Sequence, residues 1–205
     1  MLKKASTFAL LAITLGLASC SKDPIGDLST EESLVYVTNH DKSANYTQYK
    51  TFSIVDSVLI VENDRSGTSL DDIDRSLLQR IITNMQSLGY TYVSPKSKPD
   101  VGINASWITN TYLNAVSQPI SSYYGGYWGG GGGYGYGYPS YYSYYETSES
   151  YWLISMVDFK HPNTTDKTYN VVWDAQIRGG GIGDSQYIDK MVDSIFGQSG
   201  YLKIN

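Results

Sequence analysis

The only cysteine of the chain, Cys20, limits what this chain can fold into. Because no second cysteine is present to form a disulfide, the fold has to be stabilised by a hydrophobic core rather than by covalent cross-links. Cys20 follows a basic start at Lys3 and Lys4 and an apolar segment at residues 8–17. That segment is shorter than the roughly 20 apolar residues that a permanent membrane-spanning helix needs. It is instead typical of a secretion signal.

The residues Leu17-Ala18-Ser19-Cys20 resemble the bacterial lipobox, which the lipoprotein signal peptidase cleaves. The resemblance implies that residues 1–19 are a signal peptide. It also implies a diacylglycerol on the sulfur of Cys20 and an acyl chain such as palmitate on its amine. The alternative is an ordinary secretory signal in which the cysteine has no role.

The segment Ser21-Lys22-Asp23 follows the lipobox and bears on the location of the protein. It partly resembles the signals that carry Bacteroidetes lipoproteins to the outer face of the outer membrane, although only one acidic residue follows the lysine. No aspartate stands directly after Cys20, where it would retain the protein in the inner membrane. We therefore expect an outer-membrane protein that is attached to the membrane through the lipid on Cys20. The periplasmic and cell-surface sides both remain open.

The charge of the exported chain is acidic. Removal of residues 1–19 takes away two of the 15 basic residues and no acidic one, so 13 basic residues remain against 20 acidic ones and the net charge is −7. A surface of this sign argues against binding of nucleic acid and against electrostatic docking on anionic lipid. No apolar run after Leu17 reaches transmembrane length.

Residues 20–33 are mostly polar and contain Pro24 and Gly26, which predicts a tether between the membrane and a folded domain. Residues 34–205 predict a single α/β domain of the α+β kind, interrupted by an insert at residues 121–148. We expect a mixed or antiparallel sheet with two amphipathic helices packed on one face. Strand-like composition or alternation occurs at residues 34–37, 49–54, 57–61, 90–93, 101–107, 149–160 and 169–177.

Two segments have the apolar spacing of a one-sided helix, residues 70–88 and residues 185–196. Thr68 or Ser69 is expected to cap the first helix, and Gly89 is expected to end it. Asp184 or Ser185 is expected to cap the second. The acidic residues of Asp71-Asp72-Ile73-Asp74 are explained by the helix dipole and lack the pattern of a calcium loop.

The insert is rich in tyrosine and glycine. Between Tyr123 and Tyr145 lie 10 of the 20 tyrosines and 9 of the 20 glycines, with no aliphatic residue. One interpretation is a connection of low complexity; another is an exposed aromatic surface that binds a partner. A third is a segment that folds back and shields an edge of its own sheet. The candidate binding residues are Tyr123, Tyr124, Tyr127, Trp128, Tyr134, Tyr136, Tyr138, Tyr141 and Tyr142.

No constellation of catalytic residues is visible. His40 and His161 lie outside any pattern that holds zinc, no Gly-x-Ser-x-Gly motif is present, and residues 178–183 lack the spacing of a phosphate or dinucleotide loop. We therefore predict no enzyme, no cofactor and no metal. Asp56-Ser57-Val58 matches the short acceptor pattern for O-glycosylation in Bacteroidetes, so Ser57 is a candidate modification site; an unmodified surface serine is the alternative.

The order of motifs resembles the bacterial lipoprotein family catalogued as domain of unknown function four-one-three-six. The motifs run from a lipobox and a Tyr-Lys-Thr-Phe strand at residues 49–52, through a helix exit at Gly89 and a Lys-Pro-Asp-Val strand start at 98–101, to Val-Trp-Asp-Ala at 172–175. Residues 87–88, Ser-Leu, replace the basic residue that the family has before its glycine. The resemblance supports fold and location and implies no activity.

Two functions therefore remain for the chain. The first is an outer-membrane-anchored lipoprotein that serves as a structural or binding module and contacts another envelope component. The alternative is a glycan-binding or glycan-processing module that uses the tyrosine-rich insert.

Overall fold

The computed structural model describes residues 28–62, 65–110, 123–124, 127–128 and 149–204. In these residues the chain forms one eight-stranded sheet and two α-helices. The strands are β1 (Val35–His40), β2 (Thr51–Ile54), β3 (Val58–Glu62), β4 (Arg65–Ser69), β5 (Thr91–Tyr92), β6 (Val101–Asn110), β7 (Glu149–Asn163) and β8 (Thr168–Arg178). The helices are α1 (Asp72–Ser87) and α2 (Ile188–Gly197).

The sheet is mixed and is not closed into a barrel. Strands β6, β7 and β8 form its antiparallel centre, and β1 pairs antiparallel with β8 at one edge. At the other side β2 and β3 follow one another along β6, and both are parallel to it. Residues 52–54 pair with residues 101–103, and residues 59–62 pair with residues 106–109. Short β5 extends the sheet from β2, and β4 pairs antiparallel with β3. The predicted α+β class with a mixed sheet is confirmed.

One face of the sheet carries both helices. The alternation predicted for residues 101–107 is present, since Ile103 pairs with Met156 and Ala105 with Ile154, and all four side chains are buried. On the same face the indole nitrogen of Trp173 donates to Ser199 Oγ over 2.9 Å. The Trp173 ring also stacks on Phe196 of α2 at a centroid distance of 5.4 Å. This ring therefore holds the end of α2 against β8.

Helix α1 begins later than the sequence indicated. Its N-cap is Asp71, which accepts from the backbone N–H of Asp74, while the Asp74 carboxylate accepts from the N–H of Asp71. The expected cap at Thr68 or Ser69 is wrong, because both residues belong to β4. The helix buries Leu77, Leu78, Ile81 and Met85, and the chain leaves it through Gly89 at φ +104°. A glycine fits this left-handed position at no steric cost.

A 3-10 turn at Ser185–Tyr187 leads into α2, and Asp184 caps that turn by accepting from the N–H of Gln186. The two helices are joined by Arg80 of α1, whose guanidinium binds the carboxylate of Asp193 in α2. The C-terminal residues return to α1, where the N–H of Ile204 donates to the Leu88 carbonyl over 3.0 Å. The prediction of two helices on one face is confirmed.

Part of the predicted tether contacts the domain. The Ser33 hydroxyl accepts from the N–H of Gly180 over 3.0 Å, and Glu31 forms an ion pair with Lys190 of α2 at 2.5 Å. Residues 20–27 lie outside the described residues. The chain is thus attached to its domain from residue 31 onward.

Candidate functional site

The face of the sheet opposite the helices carries buried polar side chains at its centre. Asn104, Ser106 and Ser155 are each at most 2% exposed, and Asn104 pairs with Ser155 across β6 and β7. Buried polar groups at such positions are costly unless they are hydrogen-bonded. The described part of the tyrosine-rich insert supplies partners for them.

Tyr124 covers the middle of this face and is 1% exposed. Its hydroxyl donates to the Ala105 carbonyl over 2.9 Å and lies 2.6 Å from Ser106 Oγ. Close to it, the indole nitrogen of Trp128 donates to Asn104 Oδ1 over 2.7 Å. These two side chains therefore satisfy polar groups of the sheet and belong to the fold.

The absence of a side chain at Gly102 makes room for aromatic rings. A Cβ at this position would lie 2.4 Å from the Phe159 ring and 3.2 Å from that of Trp128. The rings of Trp128 and Phe159 are 5.0 Å apart, and Phe159 contacts Tyr169 at 4.9 Å. The sheet thus carries a row of aromatic rings that starts in the insert and continues onto β7 and β8.

Tyr123 and Tyr127 lie at the margin of this row. The hydroxyl of Tyr123 is 2.9 Å from Ser57 Oγ, and that of Tyr127 donates to the Ile54 carbonyl over 3.4 Å. The remaining candidate residues, Tyr134, Tyr136, Tyr138, Tyr141 and Tyr142, lie outside the described residues, as does Cys20. Ligand binding by the insert therefore stays a prediction, as do lipidation of Cys20 and glycosylation of Ser57.

An open groove of about 970 Å³ lies between α1 and the sheet edge formed by β2 and β5, and Tyr127 is part of its wall. Tyr92 and Leu70 line it and are 44% and 42% exposed. The polar lining comprises Asp56, Arg75, Ser76, Gln79, Arg80, Thr83 and Asp189. Burial, with a smaller contribution from the charge of Asp56, raises the pKa of Tyr127 to about 12, so its hydroxyl stays protonated and can donate.

Sequence reasoning did not identify this groove. Its lining comes from α1, from the end of β2, from β5 and from the insert, which are far apart in the chain. The sequence predicts only a strand for Tyr92, because residues 90–93 alone do not distinguish a tyrosine that lines a groove from one in a core. No sequence signal marks the site; it arises when parallel pairing brings β5 beside β2.

A second polar cluster surrounds Asp158, which is 4% exposed. Its carboxylate accepts from the Tyr49 hydroxyl over 2.7 Å and lies 3.0 Å from His161 Nδ1. It also accepts from the backbone N–H groups of Lys160 and His161. Burial is the main cause that raises the pKa of Tyr49, and the hydrogen bond to Asp158 adds to it. These contacts tie the bend of β7 to the segment before β2, which is a structural role.

Within the described ranges, no group of three or more His, Cys, Asp or Glu side chains is placed to hold a metal ion. In the same part of the chain, no helix combines the length and the apolar character that a membrane span requires. The groove is lined by aromatic rings, hydrogen-bonding groups and charged side chains.

Comparison with known proteins assigns a family. A search among curated proteins found no match. A crystal structure of a DUF4136 family protein from Bacteroides thetaiotaomicron is similar at a TM-score of 0.64 and 25% identity, over 84% of this chain and 99% of that one. The PelC dodecamer from Paraburkholderia phytofirmans gives a TM-score of 0.38 at 9% identity, over 84% of this chain and 99% of that one. The family model for the domain of unknown function DUF4136 matches residues 36–199. The chain therefore belongs to the DUF4136 family.

Proposed function

We propose that this chain is a lipid-anchored lipoprotein of the outer membrane whose domain serves as a binding module for another envelope component. The groove between α1 and the β2–β5 edge is its contact site. The observation that carries this proposal is the lining of the groove, which contains the exposed ring of Tyr92, the ring of Tyr127 and the side chains of Arg75 and Gln79. Exposed aromatic side chains contribute contact area at a low cost in side-chain entropy.

The anchoring part of the proposal rests on the lipobox that ends at Cys20. It is tested by cell fractionation of the Cys20→Ala variant. The variant is expected to keep its unprocessed length, with the apolar segment at residues 8–17 still attached, and to be missing from the outer-membrane fraction. Recovery in the outer-membrane fraction with normal processing would show that no lipid is attached at this residue.

A glycan is the favoured chemistry for the partner, because the groove combines rings with groups that can hydrogen-bond hydroxyls. Aromatic rings stack on the apolar faces of sugars, at a value on the order of 1 kcal/mol per ring by analogy with aromatic pairs. The charged and amide side chains of Asp56, Arg75 and Gln79 line the same groove. A protein partner is the second candidate, and it would use the same rings as contact points.

The experiment is capture of envelope components by the purified lipidated protein. Tyr92→Ala and Arg75→Ala are expected to reduce capture several-fold, because each removes a side chain from the groove wall. Tyr201→Ala is the matched control, since Tyr201 is 36% exposed and lies outside the groove. Thermal unfolding of each variant separates lost binding from lost stability.

Treatment of the envelope before capture identifies the class of partner. Periodate, which cleaves vicinal diols, is expected to remove binding if the partner is a glycan, and protease is expected to remove it if the partner is a protein. Equal capture by the native protein and by both groove variants would show that the groove is not the contact site.

A further inference from the structure

Strand β1 forms one edge of the sheet. In the described part of the chain its one strand partner is β8, so its other side faces outward. Val35–His40 contains no charged residue and no proline, and Val35 and Val37 are 52% and 40% exposed. Natural proteins usually protect such an edge with charge, proline or a bulge, because it invites pairing with another strand.

The register shows which backbone groups point outward. The N–H of Asp41 donates to the Val172 carbonyl over 2.9 Å, which continues the ladder that pairs Asn39 with Asp174. Because antiparallel ladders alternate, the odd-numbered residues of β1 bond to β8. The N–H and C=O groups of Tyr36 and Thr38 therefore point away from the sheet.

We infer that the β1 edge pairs with the β1 edge of a second copy of this chain, antiparallel and about a two-fold axis at Val37. In this register Tyr36 of one copy faces Thr38 of the other, and the two residues exchange both of their outward hydrogen bonds. The two Val37 side chains meet at a non-hydrogen-bonded pair, where side chains are closest. The two Val37 side chains then cover one another, each Val35 lies opposite Asn39 of the second copy, and the sheet continues across the dimer.

The charged residues nearest to β1 lie outside the paired segment. Glu31 and Glu32 precede it in a turn, where Glu31 forms an ion pair with Lys190 and Glu32 accepts from the N–H of Ser29. Asp41 and Lys42 follow it. Within Val35–His40 there is no charge that could repel its own copy. A second copy therefore satisfies the open backbone groups of Tyr36 and Thr38 and covers Val37.

The oligomeric state of the chain from residue 21 onward, which lacks Cys20 and the apolar segment at residues 8–17, tests this inference. Sedimentation is expected to show a concentration-dependent dimer. Thr38→Pro removes an outward N–H from each copy and should weaken the dimer at least about tenfold, since proline is tolerated where an edge strand faces outward. Its thermal unfolding should stay close to that of the parent. A parent chain that remains monomeric up to roughly 1 mM would overturn the inference.

Cysteine cross-linking tests the register in the same background. Val37→Cys is expected to form a disulfide between copies, because the two-fold axis places this residue opposite itself. Asn39→Cys is the matched control, on the same strand and the same face, and should cross-link much less. Preferential cross-linking of the Asn39→Cys variant, or none by either, would contradict the proposed pairing even if Thr38→Pro fails to fold. The edge lies across the sheet from the groove, so Tyr92→Ala should leave the dimer unchanged.

Discussion

Replacement of Tyr124 by phenylalanine is expected to lower the free energy of unfolding by about 1–2 kcal/mol. The Tyr124 ring is 1% exposed, and its hydroxyl serves both the Ala105 carbonyl at 2.9 Å and Ser106 Oγ at 2.6 Å. Phenylalanine keeps the ring but leaves these buried groups without that partner. For a domain of this size, the loss corresponds to a fall of roughly 2–8 °C in the midpoint of thermal unfolding.

A double-mutant cycle of Tyr124→Phe and Ser106→Ala, measured by urea unfolding, shows how much of the lost free energy of unfolding comes from the contact between these two side chains. Once Ser106 has lost its hydroxyl, Tyr124→Phe should cost less, with a coupling energy of about 0.5–1.5 kcal/mol. Tyr123→Phe is the control, because Tyr123 is partly exposed and water can replace its contact with Ser57. Equal small losses for Tyr123→Phe and Tyr124→Phe would refute the docking of this segment on the sheet.

Gly102→Ala should cost about 1–3 kcal/mol in chemical unfolding, since its Cβ would lie 2.4 Å from the Phe159 ring. Gly67→Ala, where nothing lies within 4 Å, should be nearly neutral. Hydrogen bonds from Arg80, with one from Asn84, hold the pKa of Asp193 below its ordinary value of 3.8. Because folding lowers the pKa of Asp193, its ionised carboxylate stabilises the folded state fully above the ordinary pKa of 3.8. This stabilisation is lost as the pH falls through the folded-state pKa. The native protein should thus lose stability more steeply than Asp193→Asn in unfolding measured below about pH 4.

The amino-acid sequence by itself determined the elements whose signals are local. The alternation at residues 101–107 and the one-sided spacing at residues 70–88 and 185–196 depend on neighbours only a few positions apart. These patterns predicted β6, α1 and α2. The order of the short motifs along the chain predicted the family. The α1 cap was misplaced by two or three residues because Thr68, Ser69 and Asp71 all have side chains that can cap. The pairing of β4 with β3 decided between them.

Tertiary structure alone decided which distant segments meet. Parallel pairing of β2 and β3 along β6 depends on contacts between residues more than 40 positions apart. Parallel pairing of β5 with β2 then creates the groove at Tyr92. The role of Tyr124 was equally hidden, because composition cannot tell a tyrosine that binds a partner from one that covers buried serines. Its burial follows from the polar side chains of β6, which need a hydrogen-bonding partner once water is excluded.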